Sequence, residues 1–253
     1  MIPLQRQPLP DEVEQRLIGY SADIRNCSGR KARKEKADAL WDRNTTVRMK
    51  VKAPIREVLF QMATGIRECM YCGSHMATDI EHIEPRAQQP LRTFCWYNHL
   101  LACSECNGIK GQRHNDLFVR QHMLLDPTRD DPFDHLQLIV DTGKYGDKSF
   151  KGKKTIEMLR LNERQLPQAR RKAWRNIKRN LIAWEDAVRR SDPEAKIRLF
   201  AEGIQDQPYA DVGQAVLRQA IEPGAELFFP PELLRPLRDP RLREVALKPL
   251  PYA

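Results

Sequence analysis

Cys69-Met70-Tyr71-Cys72 and Cys103-Ser104-Glu105-Cys106 are two C-x-x-C knuckles, and between them runs Thr78-Asp79-Ile80-Glu81-His82-Ile83-Glu84-Pro85-Arg86. Two thiolates at this spacing grip one side of a tetrahedral ion, and two such knuckles close its shell. Cys69, Cys72, Cys103 and Cys106 therefore read as a structural Zn²⁺ site. Such a site contributes on the order of 10 kcal/mol or more to folding. The gap between the knuckles exceeds the roughly 15–20 residues of a compact ribbon, so something is inserted between them. The competing reading is a redox dithiol or two unrelated pairs, but nothing beside either pair looks like a thioredoxin βαβ unit. Cys27 and Cys95 have no partner at ligand spacing and read as buried small hydrophobes.

Within the insert a carboxylate sits beside a histidine. On a strand, Ile80 and His82 face one way and Glu81 and Ile83 the other, so aiming acid and histidine at one spot requires a bent or bulged hairpin. Taken alone, such a pair is commonly just surface. Asn98 follows in Trp96-Tyr97-Asn98-His99-Leu100-Leu101, and Asn107 directly follows the last cysteine. A metal on Cys106 would fix the Asn107 backbone, and Lys110 shares a face with Asn107 if a helix begins here.

The order C-x-x-C, Glu-His-x-x-Pro, Asn, C-x-x-C-Asn-x-x-Lys resembles the HNH endonuclease superfamily, whose active site is a ββα-metal element. The stretch from Ile80 to Arg86, and Pro90 with Thr93-Phe94-Cys95-Trp96-Tyr97-Asn98-His99-Leu100-Leu101, are similar to the retron- and Septu-associated HNH nucleases of bacterial anti-phage defence. Asp126-Pro127, Asp131-Pro132, His135, Thr155-Ile156 and Leu161-Asn162-Glu163-Arg164 extend the likeness, which covers about Ile55 to Arg171. Residues 1–50 and the tail after Asp192 carry little of it. Glu81 stands where the wider superfamily often has Asp, and Arg86 stands where a Lys often follows the proline.

That resemblance implies roles residue by residue. His82 is the general base that takes a proton from the water attacking a phosphodiester, and an ordinary histidine pKa of about 6.5 suits this at neutral pH. Glu81 and Asn107 hold one catalytic divalent cation, Mg²⁺ or Mn²⁺, which stabilises the leaving 3′-oxygen. Asn98 braces the hairpin that presents His82. Arg86, Lys110 and Arg113 contact nucleic acid, DNA being favoured over RNA. His99 and His114 are additional candidates for metal or phosphate and read first as ordinary polar residues. The likeness also implies a partner ATPase subunit of the ABC or SMC-like type. This chain has no G-x-x-x-x-G-K-[ST], so any ATP belongs on another chain.

Outward from this core, the chain has 253 residues with 43 Lys and Arg against 34 Asp and Glu, a formal net charge of +9. A pI near 9.3 suits a polyanion partner. Hydrophobic residues make up 41% of the chain. The mean hydropathy is −0.64, and no apolar run approaches the ~20 residues of a membrane span. The start, MIPLQRQPLP, has no apolar h-region and does not read as a signal peptide, which sets the expectation of a reducing cytoplasm, where cysteines serve metals.

Asp11 to Ile18 reads as the first turns of a helix with acids at its N-terminus. Residues 25–52 carry a strong basic excess. Pro54 opens a helix whose Ile55, Val58, Leu59 and Met62 form one apolar stripe. Leu136 to Val140 is a predicted strand, and Pro167 to Arg190 is a helix with Trp174, Ile177, Leu181 and Trp184 on its core side. Prolines break the tail after Glu202 into short pieces, among them a possible docking segment at Leu227, Phe228 and Phe229.

The expected architecture is α+β and mainly helical. A zinc-stapled, treble-clef-like ββα-metal core at 65–125 lies between a basic helical region at 1–64 and a mainly helical, nucleic-acid- or partner-binding region at 126–253. A non-catalytic zinc module that binds nucleic acid or protein is the alternative. Such a module needs the cysteines and the basic surface but has no need of Glu81, His82 and Asn107 together. A catalytic thiolate zinc site ranks lower, because four protein ligands leave no open position for water.

Overall fold

The computed structural model describes residues 1–74, 76–113 and 124–247. Helix α1 (Asp11–Arg25) carries Asp11, Glu12 and Glu14 in its first turn, complementing the helix dipole, and buries Val13, Leu17 and Ile24. The basic α2 (Gly29–Asp38) buries only Ala37 and runs into a π-helical turn, Ala39–Arg43, that buries Leu40 and Trp41. Asn44 caps the short α3 (Thr45–Val47) by accepting from the Val47 amide at 2.9 Å. A second π-helical turn, Arg48–Lys52, leads into α4 (Ala53–Met62) with Pro54 in its first turn. All of Ile55, Val58, Leu59 and Met62 are buried, as their spacing predicts.

The small sheet that carries the motif follows. Strand β1 (Asp79–His82) pairs antiparallel with β2 (His99–Ala102), in the register Asp79 to Ala102 and His82 to His99. Helix α5 (Ser104–Arg113) begins one residue after Cys103 and packs across β1. A second hairpin, β3 (Leu136–Ile139) and β4 (Lys144–Asp147), is preceded by α6 (Pro132–His135) and followed by α7 (Phe150–Leu159).

The long α8 (Leu166–Arg189) buries Trp174, Ile177, Leu181 and Trp184. It packs against α9 (Glu194–Gln205), α10 (Ala210–Gln219) and α11 (Pro231–Arg238), and α12 (Pro240–Ala246) closes on α9. The protein is thus mainly helical with two small antiparallel sheets, and buried apolar side chains from Met1 to Ala246 form one connected core. None of the described helices is long and apolar enough to cross a membrane.

One expectation needs correction. Cys27 and Cys95 are only half-buried, because Cys27 sits at the exposed end of α1, where its Sγ reaches the Asp23 carbonyl at 3.5 Å. In the segment Leu227, Phe228 and Phe229, Phe229 packs edge-on to Trp174 with ring centroids 5.9 Å apart, while Leu227 and Phe228 face solvent.

A buried polar knot ties the hairpin β3–β4 to the C-terminal helices. Asp211 accepts from the Met1 amino group at 2.7 Å and from the Tyr145 hydroxyl, and lies 3.8 Å from Arg170 Nε. Arg170 also donates to the carbonyls of Leu161 and Gly143, and its guanidinium lies 4.3 Å from the Tyr145 ring centroid. Removing the carboxylate leaves a buried cation without its counter-charge. Asp211→Ala is therefore expected to cost about 3–5 kcal/mol, read as a fall in the urea midpoint. A cost below 1 kcal/mol would show that solvent reaches the knot.

Candidate active site

The first cysteine knuckle is a local turn, and the second opens α5. The Cys69 amide donates to the Ser74 carbonyl at 2.7 Å and the Gly73 amide to the Cys69 carbonyl at 2.9 Å. Gly73 holds φ at 77°, a conformation that favours glycine. The ligand atoms of Cys69, Cys72, Cys103 and Cys106 lie within 4.8 Å of one another. The Cys106 amide points at Cys103 Sγ (3.4 Å), and the Arg164 guanidinium donates to Cys106 Sγ (3.5 Å). Four converging sulfurs, with donors aimed at two of them, fit a tetrahedral zinc.

Strand β1 then sorts its residues by face. Asp79 and Glu81 point toward α5. Asn107 donates through Nδ2 to Asp79 Oδ2 at 2.9 Å, while the Lys110 ammonium is buried against Glu81 and also donates to the His82 carbonyl. Burial pushes the Glu81 carboxyl above its usual range, and Lys110 opposes that shift. Two carboxylates and an amide on one face are the hard oxygen donors a divalent cation takes, and a carboxylate this deeply buried demands a positive partner. The donor set fits Mg²⁺ or Mn²⁺, with Asp79 joining Glu81 and Asn107. Lys110 is 2% exposed and so does not present its charge to solvent.

His82 lies on the opposite face. Its Nε2 is 3.0 Å from the Thr93 carbonyl, and so is Nε2 of His99, its cross-strand partner. A carbonyl only accepts, so both Nε2 atoms carry the proton and both Nδ1 atoms hold a lone pair. Trp41 covers the pair, meeting the His82 ring edge-on at 4.6 Å and stacking on His99 at 5.3 Å. Burial, followed by His99 and Arg86, holds His82 well below the usual histidine range, so its imidazole is neutral.

Burial pushes His99 down to about 3, with Arg6 and Arg92 acting in the same direction. Below pH 6.5 the unfolded chain takes up a proton that folded His99 refuses, so stability falls as pH drops, by about 1.4 kcal/mol per unit. His99→Gln, which keeps a donor for Thr93, is expected to flatten the drop in urea midpoint between pH 7 and 5.5. An unchanged slope would assign that loss to other groups.

Asn98 is fully enclosed. Its Oδ1 accepts from the Glu84 amide at 2.7 Å, and its Nδ2 donates to the carbonyls of Glu84 and Arg92, each at 3.0 Å. Those bonds fix the loop whose Thr93 carbonyl orients His82. Asn98→Ala orphans three buried backbone groups and is expected to cost about 2–4 kcal/mol, measured by chemical denaturation. A loss under 1 kcal/mol would mean that the loop holds without it.

Arg86 Nη1 lies 3.1 Å from both Asp38 Oδ1 and Asp42 Oδ2. The side chain of Arg113, at the end of α5, and His114 fall outside the described residues. Glu81 and His82 are thus adjacent in sequence but serve opposite faces of an unbulged strand. Asp79 and Arg164 had no role in the sequence reading, and His99, read first as an ordinary polar residue, is fully buried. Only Asp79 had a usable signal, since i and i+2 on a strand share a face.

Comparison with known proteins agrees with this geometry. Residues 69–113 match the family model described as HNH endonuclease. The chain is 29% identical over 117 residues to a Septu protein PtuB of Bacillus thuringiensis, covering 44% of this chain and 42% of that one. It is 25% identical over 155 residues to a Septu protein PtuB of Bacillus mycoides (strain KBAB4), covering 49% and 52%. The chain therefore spans about half the length of the curated relatives it matches. Two cysteine knuckles, a short hairpin bearing the acid–histidine pair and a helix bearing the asparagine thus make residues 69–113 an HNH domain.

Proposed function

We propose that the chain is a metal-dependent HNH endonuclease that hydrolyses phosphodiester bonds, with DNA favoured over RNA, acting as the nuclease of a bacterial anti-phage defence system. The observation that carries this reading is the orientation of His82. Its Nε2–H is donated to Thr93, on a loop pinned by Asn98, which leaves the Nδ1 lone pair to accept a proton, on the face of β1 opposite Asp79 and Glu81. In the reaction His82 Nδ1 accepts a proton from water as that water attacks phosphorus. Asp79, Glu81 and Asn107 would hold the divalent cation, which when bound neutralises charge on the phosphate and the departing oxygen. Zinc on the four cysteines holds α5 and the hairpin together. Lys110 holds Glu81 and the end of β1 in place. Arg86 is available for phosphate once it leaves its carboxylates. Likeness to Septu proteins supports the defence role, and the missing P-loop motif leaves ATP to a partner ATPase of the ABC or SMC-like type. The proposed division into 1–64, 65–125 and 126–253 assigns chemistry to the middle segment and substrate or partner contacts to the outer two.

One observation favours the alternative, a non-catalytic zinc-stabilised binding module: Glu81, His82 and Arg86 are all satisfied internally. Incubating plasmid DNA and total RNA with the zinc-loaded chain, alone and with its co-purified ATPase, separates the two. Cutting that needs Mg²⁺ or Mn²⁺ and is lost in Glu81→Ala supports the nuclease and names the polymer. An inert, folded wild type with its partner present supports the binding module.

A further inference from the structure

Arg48, Lys52 and Arg56 recur every fourth residue along the second π-helical turn and α4. All three lie outside the residues that match the HNH family model. Lys52 Nζ is 3.4 Å from the Trp41 carbonyl and 4.9 Å from the centroid of its ring, the ring that covers His82. Arg56 Nε donates to the carbonyl of Thr78, the residue before β1, at 3.0 Å. Burial, and then crowding by Arg86, Arg56 and Arg48 against Asp42, lowers the Lys52 pKa, so these four cations share one neighbourhood. Lys52 thus sits on the ring that covers the candidate base, and Arg56 at the start of the strand that carries it.

Two carboxylates, Asp38 and Asp42, bracket Arg86 Nη1. A guanidinium held by two carboxylate oxygens is satisfied as a phosphate would satisfy it. Asp42 is 49% exposed, so its ion pair contributes little stability and yields readily to a competing anion. Trp41, the one aromatic of this stretch, is buried, which leaves charge rather than base stacking for recognition.

We propose that Arg48, Lys52, Arg56 and Arg86 form a track for the DNA backbone leading to His82, with Asp38 and Asp42 occupying Arg86 until a phosphate displaces them. The track rests on the nuclease reading for its destination, though binding to it can be measured without cleavage. The test is anisotropy of a fluorescent DNA duplex with the full zinc-loaded chain in EDTA-free Ca²⁺ buffer, across a salt series. Replacing Arg48, Lys52 and Arg56 together by Gln should weaken binding about tenfold or more and reduce the slope of log K against log[salt] by roughly 2–3. Asp42→Asn should tighten binding, whereas Asp186→Asn on α8, which removes the same charge elsewhere, should not; a merely structural role predicts no gain.

Equal binding and slope in the triple variant, or equal effects of the two Asn variants, would overturn the track. So would preference for single-stranded RNA over the duplex, or no binding by wild type. Cleavage of plasmid by wild type in Mg²⁺, run in parallel, separates the two ideas. A triple variant that binds normally while wild type cuts refutes the track alone. Track-dependent binding without any cutting, with the co-purified ATPase present, refutes the nuclease alone.

Discussion

Stripped of metal by a strong chelator, the protein is expected to lose β1, β2 and α5 as one cooperative unit, and Cys72→Ser is expected to do the same. The hairpin has four residues per strand, far less than an isolated two-stranded sheet needs to persist in water. One of its holds on the rest of the chain is the first knuckle, whose Met70 amide donates to the Leu101 carbonyl at 3.0 Å while Met70 Sδ accepts from the Leu101 amide at 3.2 Å. The second knuckle starts α5, so one ion fixes both sides of the acid-bearing face. A four-thiolate zinc contributes on the order of 10 kcal/mol, comparable with the roughly 5–15 kcal/mol that stabilises a typical domain. Loss of near-native circular dichroism and a fall in Tm well beyond 10 °C should follow chelation, with about one zinc released per chain. A chelated protein that keeps its Tm within a few degrees would show that the cysteines pack without an ion. Thiol titration adds a second reading: the four knuckle sulfurs should become reactive only after chelation, whereas half-buried Cys27 and Cys95 react before it.

What could be read from the sequence was whatever depends on short spacing. Both knuckles, the amphipathic stripes of α4 and α8, and the placement of Asn107 and Lys110 on one helix face follow from periods of two to four residues. The opposed directions of Glu81 and His82 were also legible, because alternation on a strand is obligatory. The long-range contacts were not. Trp41 reaches His82 from the π-helical turn before α3, Arg164 reaches Cys106 from beyond α7, and Asp38 reaches Arg86 across 48 positions. No local pattern encodes such pairs. Lys110 shows the same limit from another side. Its face was predictable, but its burial on Glu81 depends on how closely α5 lies across β1, which packing alone decides. Local patterning thus announced the chemistry of the element, while the closed state of that element came from the flanking helices.

Replacing His82 by Ala is expected to lower DNA cleavage by about 10²- to 10⁴-fold, the span a single general base supplies. The magnitude can be read cleanly because the two faces of β1 are separate. Asp79, Glu81 and Asn107 lie on the side opposite the imidazole, so Mn²⁺ affinity measured by calorimetry should stay within about threefold of wild type. Truncation also removes a ring packed on Trp41 and a donor to Thr93, which is expected to cost about 2–3 kcal/mol of stability. His82→Gln removes that ambiguity: its amide can still donate to Thr93 but offers no basic nitrogen, so Tm should recover while cleavage does not. His99 supplies the contrast. Its Nδ1 is enclosed without a partner and reaches no solvent, so it can take no proton from water. His99→Gln should therefore retain cleavage within about tenfold of wild type. If His82→Gln cuts as well as His99→Gln, the proton is taken elsewhere, and the acid pair on the other face of β1 becomes the place to look for the base.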